Sequence, residues 1–178
     1  MKEKKILIVV DMQNDFIDGA LGTKEAQAIV PAAAETIRRC REEGYALIAT
    51  LDTHGSDYMQ TPEGQKLPVP HCIRGTEGWQ LNRQIAEAAE GCLLVEKPTF
   101  GSTELPAIVA EAAQGADRLI IQLLGLCTYI CVVSNALLLK AHFPEAEIAV
   151  HGACCAGVTP ELHAAAIKTM QSCQIAVV

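Results

Sequence analysis

Four short stretches of the chain are apolar almost without interruption: Ile6 to Val10, Tyr45 to Leu51, Cys92 to Val95 and Leu119 to Leu124. None alternates apolar with polar residues, so each reads as a strand buried on both faces, the pattern of a parallel sheet covered on both sides. Each also ends abruptly: at Asp11, at Asp52-Thr53-His54, at Glu96-Lys97 and at Gly125. The segments between and after them carry helix signals. Pro31 to Gly44 has proline at its start, arginines late and glycine after the last turn. Further helices are expected over about Gln80 to Glu90, Glu104 to Gln114, Cys131 to Phe143 (stopped by Pro144) and Pro160 to about Cys173, with Thr159 as cap. Ile148 to His151 and Ile175 to Val178 are later strands. This order predicts a three-layer α/β/α Rossmann-like fold in one domain over residues 1–178, its mostly parallel sheet joined by right-handed crossovers. Such sheets bind ligands beyond the carboxyl ends of their strands. Asp11, Asp52, Lys97 and Cys131 all fall at that edge.

Composition narrows the partners. A net charge of −7 argues against nucleic acid or an anionic membrane surface, either of which needs clustered Lys and Arg. The charged run Met1 to Lys5 precedes only five apolar residues before Asp11, short of an export core, and no stretch is long enough to span a bilayer. The eight cysteines form no C-x-x-C pair, which excludes a zinc ribbon or thioredoxin-type motif and predicts reduced thiols in a cytoplasmic protein.

At the predicted edge, Cys131 stands in about the first turn of a helix, where free N–H groups and the positive end of the helix dipole favour a thiolate. A cysteine nucleophile also needs a group to manage its proton, a cation and donors for an oxyanion. Asp11, Lys97 and the backbone N–H groups of Cys127 and Cys131 supply these. Taken alone, Asp11 reads equally well as a loop cap and Lys97 as a solvated ion pair. Asp52 and His54, two residues apart, can point the same way, and His71 lies in the long loop 55–78. Three such ligands with open positions fit a divalent metal, zinc or another first-row ion, that binds substrate. No organic cofactor is indicated.

Val10-Asp11-Met12-Gln13-Asn14-Asp15-Phe16, Asp52-Thr53-His54, Lys97-Pro98-Thr99-Phe100-Gly101-Ser102 and Gly125-Leu126-Cys127-Thr128-Tyr129-Ile130-Cys131-Val132 occur in the order seen in isochorismatase-like cysteine hydrolases, which include nicotinamidases and N-carbamoyl amidases. The chain resembles that family over nearly its whole length. The resemblance implies a triad of Asp11, Lys97 and Cys131, a cis peptide between Leu126 and Cys127, and an oxyanion hole at Cys127 and Cys131. It also implies metal at Asp52, His54 and His71 in nicotinamidase-like members, and dimers or tetramers. The expected activity is hydrolysis of a small amide to carboxylate and ammonia through a thioester on Cys131. An N-carbamoyl or ureido substrate, or a non-catalytic binding module, are the alternatives. Tyr129 stands where many members have Asp, and Leu67-Pro68-Val69-Pro70 where nicotinamidases commonly carry Trp. Phe16, Phe100 and Tyr129 are therefore the expected substrate contacts. Trp79 receives no role, the Cys154-Cys155 pair is expected to be packed in the core, and His142, His151 and His163 are read as structural or surface residues. The apolar face Ala107-Ile108-Ala110-Ala112-Ala113 agrees with a homo-oligomer.

Overall fold

The computed structural model describes residues 2–178; Met1, the head of the charged N-terminal run, lies outside them. Six strands, β1 (Glu3–Val10), β2 (Ala46–Asp52), β3 (Leu93–Lys97), β4 (Arg118–Leu126), β5 (Glu147–Ala156) and β6 (Ala176–Val177), form one sheet in the order β3-β2-β1-β4-β5-β6. Every pairing is parallel. The helices are α1 (Asn14–Ile17), α2 (Lys24–Glu42), α3 (Pro62–Lys66), α4 (Arg83–Ala88), α5 (Leu105–Ala112), α6 (Val133–His142) and α7 (Pro160–Ser172). No helix among the described residues is long and apolar enough to cross a membrane.

Although β1 is uniformly apolar, its residues feed two cores in alternation. Ile6, Ile8 and Val10 pack with Leu105, Val109, Val132 and Leu139 on one face, while Leu7 and Val9 pack with Val30, Ala33, Ile37 and Ile85 on the other. All five are fully buried, which contributes on the order of 10 kcal/mol of apolar burial from this strand alone. The register then fixes the site. Val10 sits opposite both Thr50 and Gly125, and Asp52 opposite Lys97, so the strand ends align along one edge. Gly125 is obligatory there: its φ is 129°, and a Cβ would be driven into the Val10 carbonyl.

Several boundaries differ from expectation. Helix α2 begins at Lys24, not Pro31, because the Thr23 hydroxyl accepts the Ala26 N–H as a cap; Pro31 lies inside it on the solvent side, where water can satisfy the carbonyl left without a donor. The loop 55–78 contains a 3-10 turn, Tyr58–Gln60, and α3, capped by Thr61. Helix α4 starts after its cap Asn82 rather than at Gln80. Strand β3 reaches Lys97, and β5 extends to Ala156, taking Cys154 and Cys155 into the core. The helix expected from Cys131 is regular only from Val133; the Val132 N–H reaches back five residues to the Cys127 carbonyl (3.1 Å), a wide π turn that holds Cys131. Ile108 and Ala112 rest partly against the core, which leaves less of the α5 face open.

His151 on β5 is buried and hydrogen-bonded through Nε2 to Gln122 Oε1 at 2.8 Å, a contact in which the imidazole N–H donates to the amide oxygen. Burial, then the charge of Arg39, lowers its pKa, with Glu43 opposing. A depressed imidazole costs stability only where the unfolded chain is protonated and the folded one is not, that is, as pH falls below the ordinary value of 6.5. The melting temperature should therefore fall between pH 7 and 5, and His151→Gln should flatten part of that fall; an unchanged profile would refute this.

Candidate active site

The edge is built around Lys97, whose side chain is fully buried. Its Nζ lies 2.7 Å from Asp11 Oδ2, 3.5 Å from Asp52 Oδ1 and 3.5 Å from Cys131 Sγ, and donates to the Thr99 carbonyl at 3.1 Å. Asp11 takes a left-handed backbone, φ 48°, directly after β1. One residue missed in the sequence, Thr50, holds it through two bonds: Thr50 Oγ1 donates to Asp11 Oδ1 at 2.7 Å, and the Asp11 N–H donates back to Thr50. Thr50 is the register partner of Val10, a relation visible only once the strands are paired. Asn135, also missed, donates to the carbonyls of Cys131 (2.8 Å) and Phe100 (3.2 Å) and accepts from the Ser102 N–H (2.9 Å), tying the π turn to the loop after β3. Thr128 is pinned by His163 Nδ1 at 2.8 Å. The Leu126–Cys127 peptide is cis.

Charge at this cluster departs from expectation. Burial pushes the Cys131 thiol up, and the nearby carboxylate of Asp11 adds to the shift, with Lys97 opposing. The helix end does not offset that cost, so the thiol is harder to ionise here than the helix-end position alone predicts. Burial also raises the Asp11 carboxyl, with Lys97 pulling it back, which makes Asp11 a stronger proton acceptor than an ordinary carboxylate. Lys97 is lifted above an ordinary lysine: burial works against its charge, and the carboxylates of Asp11 and Asp52 outweigh that cost.

Beside it, Asp52 Oδ2 lies 3.0 Å from His54 Nε2 and 3.5 Å from His71 Nε2. Burial would raise Asp52, but the hydrogen bonds with His54 and His71 and the charge of Lys97 hold it well below the usual carboxylate range. One ligand atom from each of the three residues falls within 4.8 Å of the others. The set suits a first-row divalent cation. His71 Nδ1 faces the Val69 carbonyl at 2.8 Å and must donate to it, so in neutral His71 a lone pair at Nε2 points at an acceptor, Asp52 Oδ2, an arrangement a cation between them satisfies. Glu63, not foreseen, brings Oε1 to 3.8 and 4.0 Å from the same two imidazole nitrogens and offers a fourth donor.

A cavity of about 250 Å³ opens onto both clusters. Cys131, Cys127, Asp52 and His71 face it; Phe16, Phe100, Tyr129, Ile130, Leu67 and Val158 supply apolar surface, and Glu63 is the remaining charge. Every residue expected from the sequence to touch substrate thus lines one space. Phe100 is nearly half exposed and forms rim rather than wall. Of the stretch Leu67-Pro68-Val69-Pro70, Leu67 lines the cavity. Trp79 lies outside the cavity and acts on the scaffold: its Nε1–H donates to Thr53 Oγ1 at 2.9 Å, and its carbonyl accepts from Gln13 Nε2 at 2.8 Å. Gln13 also donates to the Asp52 carbonyl and accepts the Asp52 N–H, fixing the backbone at that residue.

The described Isochorismatase domain matches residues 5–178. Over 102 residues the chain is 35% identical to a nicotinamidase of Escherichia coli (strain K12), covering 48% of this chain and 47% of that one, so the chain spans about half the length of the curated relatives it matches. Among solved structures it is similar to a pyrazinamidase of Pyrococcus horikoshii in complex with zinc, at 28% identity and TM-score 0.80, covering 100% of this chain and 99% of that one. It is also similar to an N-carbamoylsarcosine amidase from Thermoplasma acidophilum, at 26% identity and TM-score 0.76, covering 99% and 95%.

Proposed function

We propose that this chain, which belongs to the isochorismatase family, hydrolyses a small, uncharged carboxamide, nicotinamide or a close relative, to its carboxylate and ammonia through a thioester on Cys131. The observation that carries this reading is one buried cluster in which Lys97 bridges Asp11, Cys131 and Asp52, the last two facing an apolar cavity. With the thiol neutral at rest, Asp11 accepts its proton as Sγ attacks the amide carbon. The oxyanion is held by the N–H groups of Cys127 and Cys131. Asp11 then returns the proton to the departing nitrogen, and ammonia leaves. The same carboxylate takes a proton from water that attacks the thioester, releasing the acid and restoring the thiol. Lys97 keeps Asp11 ionised between steps. Asp52, His54 and His71, with Glu63 beside them, would hold a divalent cation, zinc or a neighbour in the first row. When bound, that ion supplies a Lewis-acid contact for a heteroatom of the substrate.

The cavity favours a neutral amide over N-carbamoyl amino acids. Among the described residues no arginine or lysine lines it, and a substrate carboxylate would meet Asp52 and Glu63. Its volume lies below the usual range for drug-sized ligands and suits one ring or a short aliphatic chain. An ammonia-release screen tests this. Nicotinamide, pyrazinamide or benzamide should exceed N-carbamoyl amino acids by about 10-fold or more in kcat/KM, a preference of about 1.4 kcal/mol in transition-state binding. Removing metal with a chelator, or His54→Ala, should lower the nicotinamide rate by a similar factor. Faster turnover of N-carbamoyl amino acids would overturn the substrate assignment.

A further inference from the structure

Asp15 lies outside the cavity and touches neither the cysteine cluster nor the three ligand side chains, yet its carboxylate is placed with unusual care. Oδ2 accepts the Cys72 N–H at 2.7 Å, across 57 residues of sequence, and Oδ1 accepts the Ala20 N–H at 3.2 Å. Two glycines clear the space it occupies: a Cβ on Gly78 would run into its carboxylate, and one on Gly19 would press against Asp15 as well. Cys72, next to His71, has φ 46°, a left-handed backbone that a non-glycine residue holds only when its neighbours fix it. Two bonds fix this peptide: its N–H is given to Asp15, and its carbonyl accepts the His54 N–H at 3.0 Å. The turn at Cys72 sets the direction of His71, whose ring lies 5.5 Å from Phe16, the residue after Asp15. Gln13, two residues earlier, clasps the backbone of Asp52 in the same manner. One short segment after β1 therefore holds the His71 arm with Asp15 and the Asp52 arm with Gln13.

We propose that Asp15 is a positioning residue for the metal centre, its carboxylate locking the Cys72 turn so that His71 meets Asp52 and His54 at ligating distance. This rests on the metal reading given above. The test measures zinc affinity of the whole chain by competition with a chromogenic chelator, alongside the melting temperature of the metal-free protein. Asp15→Ala should raise the zinc Kd about 10- to 100-fold, the usual range for loss of an outer-shell partner. Asp15→Asn keeps an oxygen able to accept the Cys72 N–H and should fall in between. Gly78→Ala, which pushes on the carboxylate from the other side, should weaken zinc binding when Asp15 is present and add nothing in the Asp15→Ala background. A wild-type Kd in folded Asp15→Ala, or a loss confined to the metal-free melting temperature, would overturn the proposal by showing a purely structural role. Additive effects of Asp15→Ala and Gly78→Ala would also overturn it. If the wild-type chain binds no zinc and His54→Ala behaves identically, the metal reading itself fails and takes the proposal with it, a result distinct from wild-type binding that is insensitive to Asp15.

Discussion

Cys131→Ala is expected to reduce ammonia release by about 10⁴-fold or more, the scale of loss when a covalent nucleophile is removed, while the protein stays folded. The side chain is 4% exposed and packs at the edge of the core cluster containing Val132 and Ala136. Deleting one sulfur there costs about 1 kcal/mol, within the ordinary range for a small buried truncation. The 2.7 Å Asp11–Lys97 pair needs no thiol to persist, so the charge balance survives the substitution. Mass spectrometry after acid quench in the first turnovers should find the acyl group of the substrate on the peptide carrying Cys131, and on no other cysteine peptide. An active Cys131→Ala variant, or an acyl adduct elsewhere, would remove the mechanism. Tight substrate binding without turnover in both the wild type and the variant would identify a binding module instead.

The sequence carried the plan of this site further than its details. Buried parallel strands announce themselves as apolar runs, and their ends are legible because a charged residue cannot continue into the core; that is why Asp11, Asp52 and Lys97 were found as strand ends without pairing information. The cluster that could hold a metal, Asp52, His54 and His71, was legible for the same reason together with the spacing of Asp52 and His54. Contacts made only by tertiary register left no local trace. Thr50 looks like one more strand residue until β1 and β2 are aligned, and Gln13, Asp15 and Asn135 are ordinary polar residues until their partners 33 to 66 positions away arrive. Pro31 misled because proline commonly opens helices, whereas the Thr23 cap supplied a better start two turns earlier. The thiol misled for another reason. Helix-end position predicts a lowered pKa, but burial of Cys131 among core residues raises it.

Lys97→Met should produce the largest loss of stability, about 3–5 kcal/mol at neutral pH, the range for breaking a buried ion pair from one side. The ammonium faces two buried carboxylates at once, Asp11 at 2.7 Å and Asp52 at 3.5 Å. A methionine of similar length leaves both without it. Asp11 then has nothing to oppose the burial that already raises it, so it holds a proton in the folded chain at pH values where the unfolded chain has lost one. A carboxyl raised on folding contributes stability below its unfolded value of 3.8 that is lost as pH rises through its folded value. Urea unfolding of Lys97→Met should accordingly show a smaller deficit relative to wild type at pH 5 than at pH 8. The wild type should show a weaker trend from Asp11, which is raised there too, because Lys97, lifted above an ordinary lysine, stays charged over that interval and pulls the carboxyl back. Adding Asp11→Asn to Lys97→Met removes the stranded charge and should restore most of the stability. It should restore none of the ammonia release, because the proton acceptor has gone as well. Equal deficits at both pH values, or a double variant no more stable than the single one, would show that Lys97 supports the fold by packing its aliphatic stem rather than by balancing the carboxylates around Cys131.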